Sequence, residues 1–473
     1  MRATKKVAIC LNFLMIFFLL SLSWQESHAS EEKLVQGLGA GNYYNFPSEN
    51  DTDGVYEAVT EDGVTLVIKR YRPFQRDKFN EGKQPIILFN GILCSMKEFD
   101  VRTVEESTDL YADFQLDKNK IEKWAINDPH IERDPMLYYS IAYYLWSFGY
   151  DPWLCHYRGT GRGALESGLD SQGINLDHWG IYDTPAIIDK VYEVTGIPPV
   201  IGGHSTGGVV SYIYLQGCYF GKDGHVHNDK NLSKERNEFI RGFIGLDHAG
   251  EWPFPVWSNI QSLWAVFGTP IFLPLTSLMG AASNTMLIYP GSPLLNTAEG
   301  LLLSLFRADE FTGGNDIFQY LSFMNTANIN KYLMDYTMRY LLTSAPLRGL
   351  GMYYDYGINH TIREFWKNGE ENSNRVVGLK PKPNDGYYYY KDNMYLVTVP
   401  SISIFSETEG IVSPTNMVRD FVKAKTQHAL DEWMIVPKSG HMDVVVGDNA
   451  PEFLYYYLRN WLGRMSTLGY FDN

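Results

Sequence analysis

Pro199-Val200-Ile201-Gly202-Gly203-His204-Ser205-Thr206-Gly207 runs into the apolar stretch Val209-Val210-Ser211-Tyr212-Ile213-Tyr214-Leu215. This order predicts a strand, a sharp turn at Ser205 and a helix, with the serine hydroxyl presented above a parallel sheet. The flanking glycines are needed because side chains there would collide with the strand or the helix. Since the chain has 42 glycines, a G-x-S-x-G pentapeptide also arises by chance in about one such chain in four. The surrounding sequence must therefore support the inference.

The composition is that of a globular protein with a large core. Of 473 residues, 45% are hydrophobic and 20% are charged, so we expect one core domain with an inserted cap. The formal net charge of −15 argues against a nucleic-acid partner, because phosphates require a basic surface.

The N-terminus has the order of a secretory signal peptide. Three basic residues precede an apolar run from Val7 to Leu22, and Ser27-His28-Ala29 follows it. We expect cleavage after Ala29 and export of the mature chain. The alternative is an uncleaved N-terminal anchor.

The cysteines do not form a disulfide framework. Cleavage after Ala29 would leave Cys94, Cys155 and Cys218, an odd number, and we expect buried free thiols. No C-x-x-C or His-x-x-His spacing is present, so we predict neither a metal nor a cofactor.

Strand and helix patterns alternate along most of the chain. Residues 55–72 alternate apolar and polar around Glu-Asp-Gly, which predicts a β-hairpin. Further strand candidates are Ile86–Phe89, Asp151–His156, Val200–Gly202, Phe243–Leu246, Leu396–Phe405 and Met434–Val436. This pattern predicts an α/β fold in which helices cover both faces of a mostly parallel sheet. Sites on such sheets lie beyond the carboxyl ends of the strands.

Two regions interrupt the alternation. Residues 101–135 are rich in charge and are predicted to be a solvated insertion. Residues 251–345 are rich in Trp, Leu, Phe and Pro, and predict a mainly helical cap over an apolar pocket, or an ordinary helical core. The predicted division is a signal peptide over 1–29, a core over 30–249, a cap over 250–345 and the rest of the core over 346–473.

The loops after the later strands supply the partners that a serine nucleophile needs. His441, in a glycine-containing loop after the last strand candidate, is the predicted base. In this architecture the acid lies between the serine and the histidine in the chain. Glu409, in the loop after Leu396–Phe405, is the predicted acid, and Glu407 and Asp247 are the alternatives.

A tetrahedral intermediate also needs two backbone donors. Thr206 follows the nucleophile and supplies one N–H group. Ile92, in the loop after Ile86–Phe89, is predicted to supply the other, because Gly91 beside it allows close approach of the backbone.

Five stretches together resemble the acid lipase family of α/β-hydrolases, which includes the lysosomal and gastric lipases. They are Phe89–Ser95, Tyr150–Gly159, Trp179–Asp189, Gly203–Gly207 and Gly440–Asp443. The resemblance implies an α/β-hydrolase fold with a helical cap, and a Ser/His/acid enzyme that splits carboxylic esters of lipids through an acyl-enzyme.

The chain departs from the family pattern at three positions. Asn90 stands where the family usually has His, Glu409 where it usually has Asp, and Thr206 where it usually has Gln. Because the oxyanion donors are amides, the first and third changes leave the chemistry intact. Residues 101–135 and 360–392, which include Tyr387-Tyr388-Tyr389-Tyr390, have no counterpart in the family pattern.

The sequence thus predicts an exported serine hydrolase that cleaves esters of apolar acyl groups, a lipase or carboxylesterase. The expected substrate is a small-molecule or lipid ester, with transient contact between the cap and a lipid interface. An acyltransferase, a polyester or peptide hydrolase, and a catalytically silent hydrolase-like binding protein are the alternatives. Arg158 is expected to form a salt bridge inside the fold. Phosphate binding by the glycine-rich stretch from Arg158 to Gly163 is the weaker alternative, since no P-loop Lys-Ser/Thr follows it.

Overall fold

The computed structural model describes residues 54–72, 84–104, 111–117, 119–161, 165–168, 175–248, 324–341, 349, 352, 353, 356, 361–365, 385–407 and 414–471. The predicted signal peptide, most of the predicted cap and Glu409 lie outside the described residues. The division of the chain at residues 29, 249 and 345 therefore stays a prediction.

Ten strands lie in the described part of the chain. They are β1 Val55–Val59, β2 Thr65–Arg70, β3 Pro85–Phe89, β4 Asp151–Cys155, β5 Val200–His204, β6 Cys218–Phe220, β7 Val226–Asn228, β8 Gly242–Leu246, β9 Ser401–Ser406 and β10 Glu432–Val436. Eight form one sheet in the order β1-β2-β4-β3-β5-β8-β9-β10, and β6 and β7 pair separately. Strand β2 is antiparallel to β1 and to β4, and all other pairs of the large sheet are parallel. The predicted hairpin and the mostly parallel sheet are confirmed.

The helices of the described residues cover both faces of the large sheet. They are α1 Pro129–Arg133, α2 Ile141–Ser147, α3 Leu176–His178, α4 Thr184–Thr195, α5 Thr206–Leu215, α6 Lys230–Phe239, α7 Lys331–Tyr336, α8 Pro414–Met417, α9 Asp443–Val446 and α10 Leu454–Thr467. Turns of π-helix at Trp179–Asp183, Thr337–Leu341 and Val418–Val422 join or extend α3, α7 and α8. Short 3-10 helices lie at Met96–Glu98, Lys123–Ala125, Pro135–Tyr139, Thr326–Asn328 and Lys391–Leu396.

The core has two halves, one on each face of the sheet. Along β3, Ile86 and Leu88 pack into one half with α2 and α10, and Ile87 and Phe89 pack into the other with α4 and α5. Side chains alternate between the faces of a strand, so a fully apolar strand fits a sheet that is covered on both sides. Every residue of β3, β8 and β9 is buried for this reason, including the serines of β9.

The prediction of a solvated insertion over residues 101–135 is wrong in part: many of its described charged residues are exposed, but several of its apolar residues are buried. Among the described residues of this region, Val101, Phe114 and Ile131 are buried in the core. Arg102 is buried as well, and its guanidinium pairs with Asp100 at 2.5 Å. The sequence did not indicate this burial, because the apolar residues lie between charged ones and their spacing is neither helical nor alternating.

One long strand candidate and one small hairpin also differ from the prediction. Strand β9 begins at Ser401 rather than Leu396, because Lys391–Leu396 forms a 3-10 helix before it. The hairpin of β6 and β7 was not predicted, since each strand has only three residues. Within the described residues, no helix combines the length and the apolar character needed to cross a membrane.

Candidate active site

Ser205 occupies a strained turn between β5 and α5. Its backbone has φ 51° and ψ −116°, a conformation that L-residues rarely adopt. A Cβ atom on Gly203 would lie 2.1 Å from the carbonyl carbon of Gly207, and one on Gly207 would lie 2.1 Å from the carbonyl oxygen of Phe89. The Ser205 amide donates to the Leu246 carbonyl at 2.9 Å, which fixes the turn to β8. The sequence predicted this strand, turn and helix, and the structure shows all three.

The loop after β3 lies against the nucleophile. A Cβ atom on Gly91 would be 3.3 Å from the Cβ atom of Ser205, a tight contact that glycine avoids, so the loop approaches the nucleophile closely. The Asn90 side chain donates to the carbonyl of Gly91 at 3.1 Å and also to that of Cys94, and so shapes the turn from within. Ile92 follows Gly91 directly, which places the predicted oxyanion loop beside Ser205.

The first amide of α5 is the second predicted oxyanion donor. Thr206 is the first residue of this helix, and amides of a first helical turn have no acceptor within the helix. The Thr206 hydroxyl contacts the Tyr353 hydroxyl at 2.6 Å, so its side chain is held in the interior.

His441 lies in the buried loop between β10 and α9. Its ring centroid is 4.9 Å from that of His204, the residue before Ser205. The loop is held by Asp443, whose carboxylate accepts from the amides of Gly440 at 2.9 Å and Asn325 at 2.6 Å, and from the side chain of Asn328 at 2.6 Å. The structure therefore brings the predicted base to the turn that carries the predicted nucleophile.

The alternative acids occupy different surroundings. Asp247 is fully buried after the end of β8, and its Oδ1 atom accepts from the Ser406 amide at 2.8 Å. Glu407 is exposed, and its carboxylate accepts from the Lys438 amide at 2.7 Å. The structure thus brings Asp247 to the buried site and leaves Glu407 at the surface, whereas Glu409 lies outside the described residues.

Comparison with known proteins gives lipases as relatives. No protein-family model matches the chain. The chain is 24% identical to gastric triacylglycerol lipase of Mus musculus over 320 residues, which are 61% of this chain and 67% of the relative. It is 27% identical to lipase lipl-3 of Caenorhabditis elegans over 250 residues, 49% of this chain and 50% of that relative. It is 28% identical to gastric triacylglycerol lipase of Homo sapiens over 178 residues, which are 36% of this chain and 35% of that relative.

The sheet order, the elbow after β5 and these relatives agree. The chain has an α/β-hydrolase fold and is similar in sequence to lipases. Solved structures with a similar chain path include a soluble variant of monoglyceride lipase from Saccharomyces cerevisiae, at 14% identity and a TM-score of 0.42 over 89% of this chain and 98% of that chain. A thermophilic esterase from Thermogutta terrifontis matches at 12% identity and a TM-score of 0.43, over 87% of this chain and 98% of the esterase chain.

Burial sets the protonation of His441. Loss of solvent, followed by the charge of His204, lowers the pKa of His441 to about 3, against the opposing carboxylates of Asp247 and Glu98. The imidazole is therefore neutral near neutral pH. A neutral imidazole can accept a proton, as a general base must.

A buried pair that the sequence analysis did not identify joins the site. His204 and Glu98 are both fully buried, with 3.0 Å between Nδ1 and Oε2. Burial lowers the pKa of His204, but the charge and hydrogen bond of Glu98, the charge of Asp247 and the hydrogen bond to the His441 carbonyl together outweigh it, so the pKa is raised. The signal in the sequence was weak, because 106 residues separate the two.

Cys94, Glu98 and His204 are the group of metal-type donors found among the described residues, within 4.8 Å of one another. They fit an ion pair better than a metal. Metal binding needs a thiolate, whereas burial and then the Glu98 carboxylate raise the pKa of Cys94 well above its ordinary value. Both Glu98 oxygens already accept protein hydrogen bonds.

Other residues singled out in the sequence lie in the interior of the fold. Cys94, Cys155 and Cys218 are buried free thiols, as expected. The Arg158 guanidinium pairs with Asp183 at 2.7 Å and with Asp62 at 2.5 Å, which confirms the predicted interior salt bridge. In the tyrosine run, Tyr388 and Tyr390 are buried.

Proposed function

We propose that this protein is a serine hydrolase that cleaves carboxylic esters of apolar acyl groups through an acyl-enzyme. The observation that supports this most strongly is the strained Ser205 at the β5–α5 turn, with the Gly91 loop on one side and His441 nearby. Strain of this kind persists only where the surrounding structure imposes it, and it concentrates at functional sites.

In the proposed mechanism, the Ser205 hydroxyl attacks the ester carbonyl carbon while His441 takes its proton. The amides of Ile92 and Thr206 donate to the resulting oxyanion. His441 then protonates the leaving alcohol, and the acyl group remains on Ser205. Water, deprotonated by His441, hydrolyses the acyl-enzyme and restores the serine.

Glu409 is the proposed acid that orients His441, as its place in the loop after β9 indicates. Asp247 is the competing carboxylate, because it is buried and its charge raises the pKa of His441. Glu407 is the weakest of the three, since it is exposed and bound to the Lys438 amide.

The substrate class is proposed from chemistry and relatives together. Residues 251–345 are apolar in sequence and suit a cap over an acyl chain, and two of the relatives are named triacylglycerol lipases. We propose a lipid ester as the substrate, transient contact of the cap with a lipid interface, and export directed by residues 1–29.

Hydrolysis of an ester series tests this function. Rates would be measured for one alcohol and increasing acyl chain length, below and above the concentration at which each ester aggregates. We expect turnover that depends on Ser205 and rises for longer chains at the interface. Equal hydrolysis by wild type and Ser205→Ala would contradict the proposal.

A further inference from the structure

The loop beside Ser205 and the loop of His441 are joined through one buried pair. The amide of Gly91 donates to Glu98 Oε1 at 2.9 Å, and Glu98 Oε2 lies 3.0 Å from His204 Nδ1. On its other side, His204 Nε2 lies 2.9 Å from the carbonyl oxygen of His441. Four residues thus form a continuous chain of hydrogen bonds behind the nucleophile.

The polarity of this chain follows from its end groups. A carbonyl oxygen only accepts, so His204 Nε2 carries a proton and donates to His441. A carboxylate also only accepts, so beside an ionised Glu98 the Nδ1 atom is a donor as well. His204 is then an imidazolium with both protons engaged. Each hydrogen bond to Glu98 is charge-assisted, and such bonds are roughly twice as strong as neutral ones.

The same loop is held from its other end. The amide of Met96 donates to His156 Nε2 at 3.0 Å, and the amide of Ser95 donates to the Leu341 carbonyl at 2.8 Å. Glu98 is the last residue of the 3-10 helix that follows these contacts. Its carboxylate folds back to Gly91, so it connects the fixed end of the loop to the part that touches Ser205.

We propose that Glu98 and His204 are positioning residues, which hold the oxyanion loop and the backbone of His441 at fixed places around Ser205. This inference rests on the proposed function. Neither residue touches substrate, and each acts through its neighbour: Glu98 through the Gly91 amide and His204 through the His441 carbonyl. Small displacements matter here, because moving a reacting group by about 1 Å can cost ~100-fold in rate.

Glu98→Gln tests the pair with little change of shape. The variant keeps an oxygen for the Gly91 amide and removes the charge that holds His204 protonated. We expect kcat on a soluble short-chain ester to fall about 10- to 100-fold with KM nearly unchanged, because oxyanion donors act mainly in the transition state. The inhibition constant of an acyl trifluoromethyl ketone, which forms an oxyanion on Ser205, should rise by a similar factor.

Asp151→Asn is the matched control. Asp151 is a buried acid whose carboxylate pairs with Arg70 at 2.8 Å. It is the first residue of β4 and so lies at the amino ends of the parallel strands, whereas Ser205 follows the carboxyl end of β5. This variant should lose stability but keep kcat and the inhibition constant. His204→Gln probes the pair from the other side, and the double variant with Glu98→Gln should lose no more activity than the worse single variant.

The outcomes separate the two proposals. If Glu98→Gln and His204→Gln, where folded, match Asp151→Asn in kcat and inhibition constant, the positioning role is wrong while the proposed function stands. If folded wild type neither hydrolyses the ester nor binds the ketone covalently, the proposed function fails and the inference fails with it. A stoichiometric metal ion in wild type that Glu98→Gln loses would also overturn the ion pair.

Discussion

His204 Nε2 donates to the backbone carbonyl of His441 over 2.9 Å. The residue before the predicted nucleophile therefore holds the backbone of the predicted base. The two lie 237 positions apart in the chain, and the contact spans the carboxyl edge of the sheet from β5 to the loop after β10. This hydrogen bond joins the turn that carries Ser205 to the loop that carries His441.

The elbow glycine gives the first prediction. Gly207→Ala places a Cβ atom 2.1 Å from the Phe89 carbonyl oxygen, and we expect it to lower the free energy of unfolding by about 2–3 kcal/mol and to abolish turnover. Gly463→Ala is the control, because a Cβ atom there meets nothing within 4 Å and alanine in helix α10 should stabilise by up to ~1 kcal/mol. Denaturant unfolding measures both, and an undiminished stability of Gly207→Ala would contradict the packing of the elbow.

The second prediction concerns Asp443, which holds the loop of His441. In Asp443→Asn an NH2 group takes the place of one carboxylate oxygen. Either the Gly440 amide and the Asn328 side chain, or the Asn325 amide, then lose their acceptor. We expect a loss of about 1–3 kcal/mol of stability and a fall in kcat, because the loop that carries His441 loosens. Unfolding and kinetics on the same preparations test this. Wild-type stability and kcat would show that Asp443 does not hold the loop.

The acid is settled by three amide exchanges. Glu409→Gln should lose on the order of 10³- to 10⁴-fold in kcat, as loss of a triad acid does. We expect Asp247→Asn to lose about tenfold, because it removes a charge near His441, and Glu407→Gln to be close to wild type. If Asp247→Asn shows the largest loss instead, Asp247 is the acid and the assignment of Glu409 is wrong.

The pH dependence follows from the buried imidazole. Burial, then the charge of His204, lowers the pKa of His441 to about 3, with Asp247 and Glu98 opposing. The base therefore stays neutral in weak acid, and we expect kcat/KM to hold from neutral pH down to about pH 5. An acid limb near the ordinary histidine pKa of about 6.5 would contradict this.

The same shift affects stability with a definite sign. Because the folded-state pKa of His441 is depressed, the unfolded chain binds the proton first as pH falls. Its contribution to stability is therefore complete above the unfolded pKa of about 6.5 and is lost between there and about 3. His156, whose Nε2 accepts from the Met96 amide, behaves alike, since burial lowers its pKa to about 4. The difference in melting temperature between wild type and His156→Gln should therefore shrink as pH falls through this range, a comparison that cancels the opposing effect of buried carboxyls such as Asp177 and Asp183, whose pKa values burial raises.

The sequence predicted the sheet and the elbow because their signals are local. Strand β3 is a continuous apolar run, and the glycines around Ser205 occupy the positions that a tight turn requires. His441 was predicted for a similar reason, as a histidine on a glycine-containing loop after the last strand.

The remainder depended on contacts that no local pattern reveals. Glu98 lies in a 3-10 helix of three residues and gains its role only from His204. Phe114 and Ile131 lie among charges, so their burial followed from tertiary packing rather than from periodicity. Glu407 and Asp247 were both left as alternative acids by the sequence, and only the folded chain shows one exposed and the other buried.

A fluorophosphonate probe, followed by mass spectrometry of the labelled peptides, reports directly whether Ser205 is an activated nucleophile. We expect one label per folded wild-type chain, on Ser205, and no label on folded Ser205→Ala. A folded wild type that stays unlabelled, or a Ser205→Ala variant labelled as fast as wild type, would contradict it.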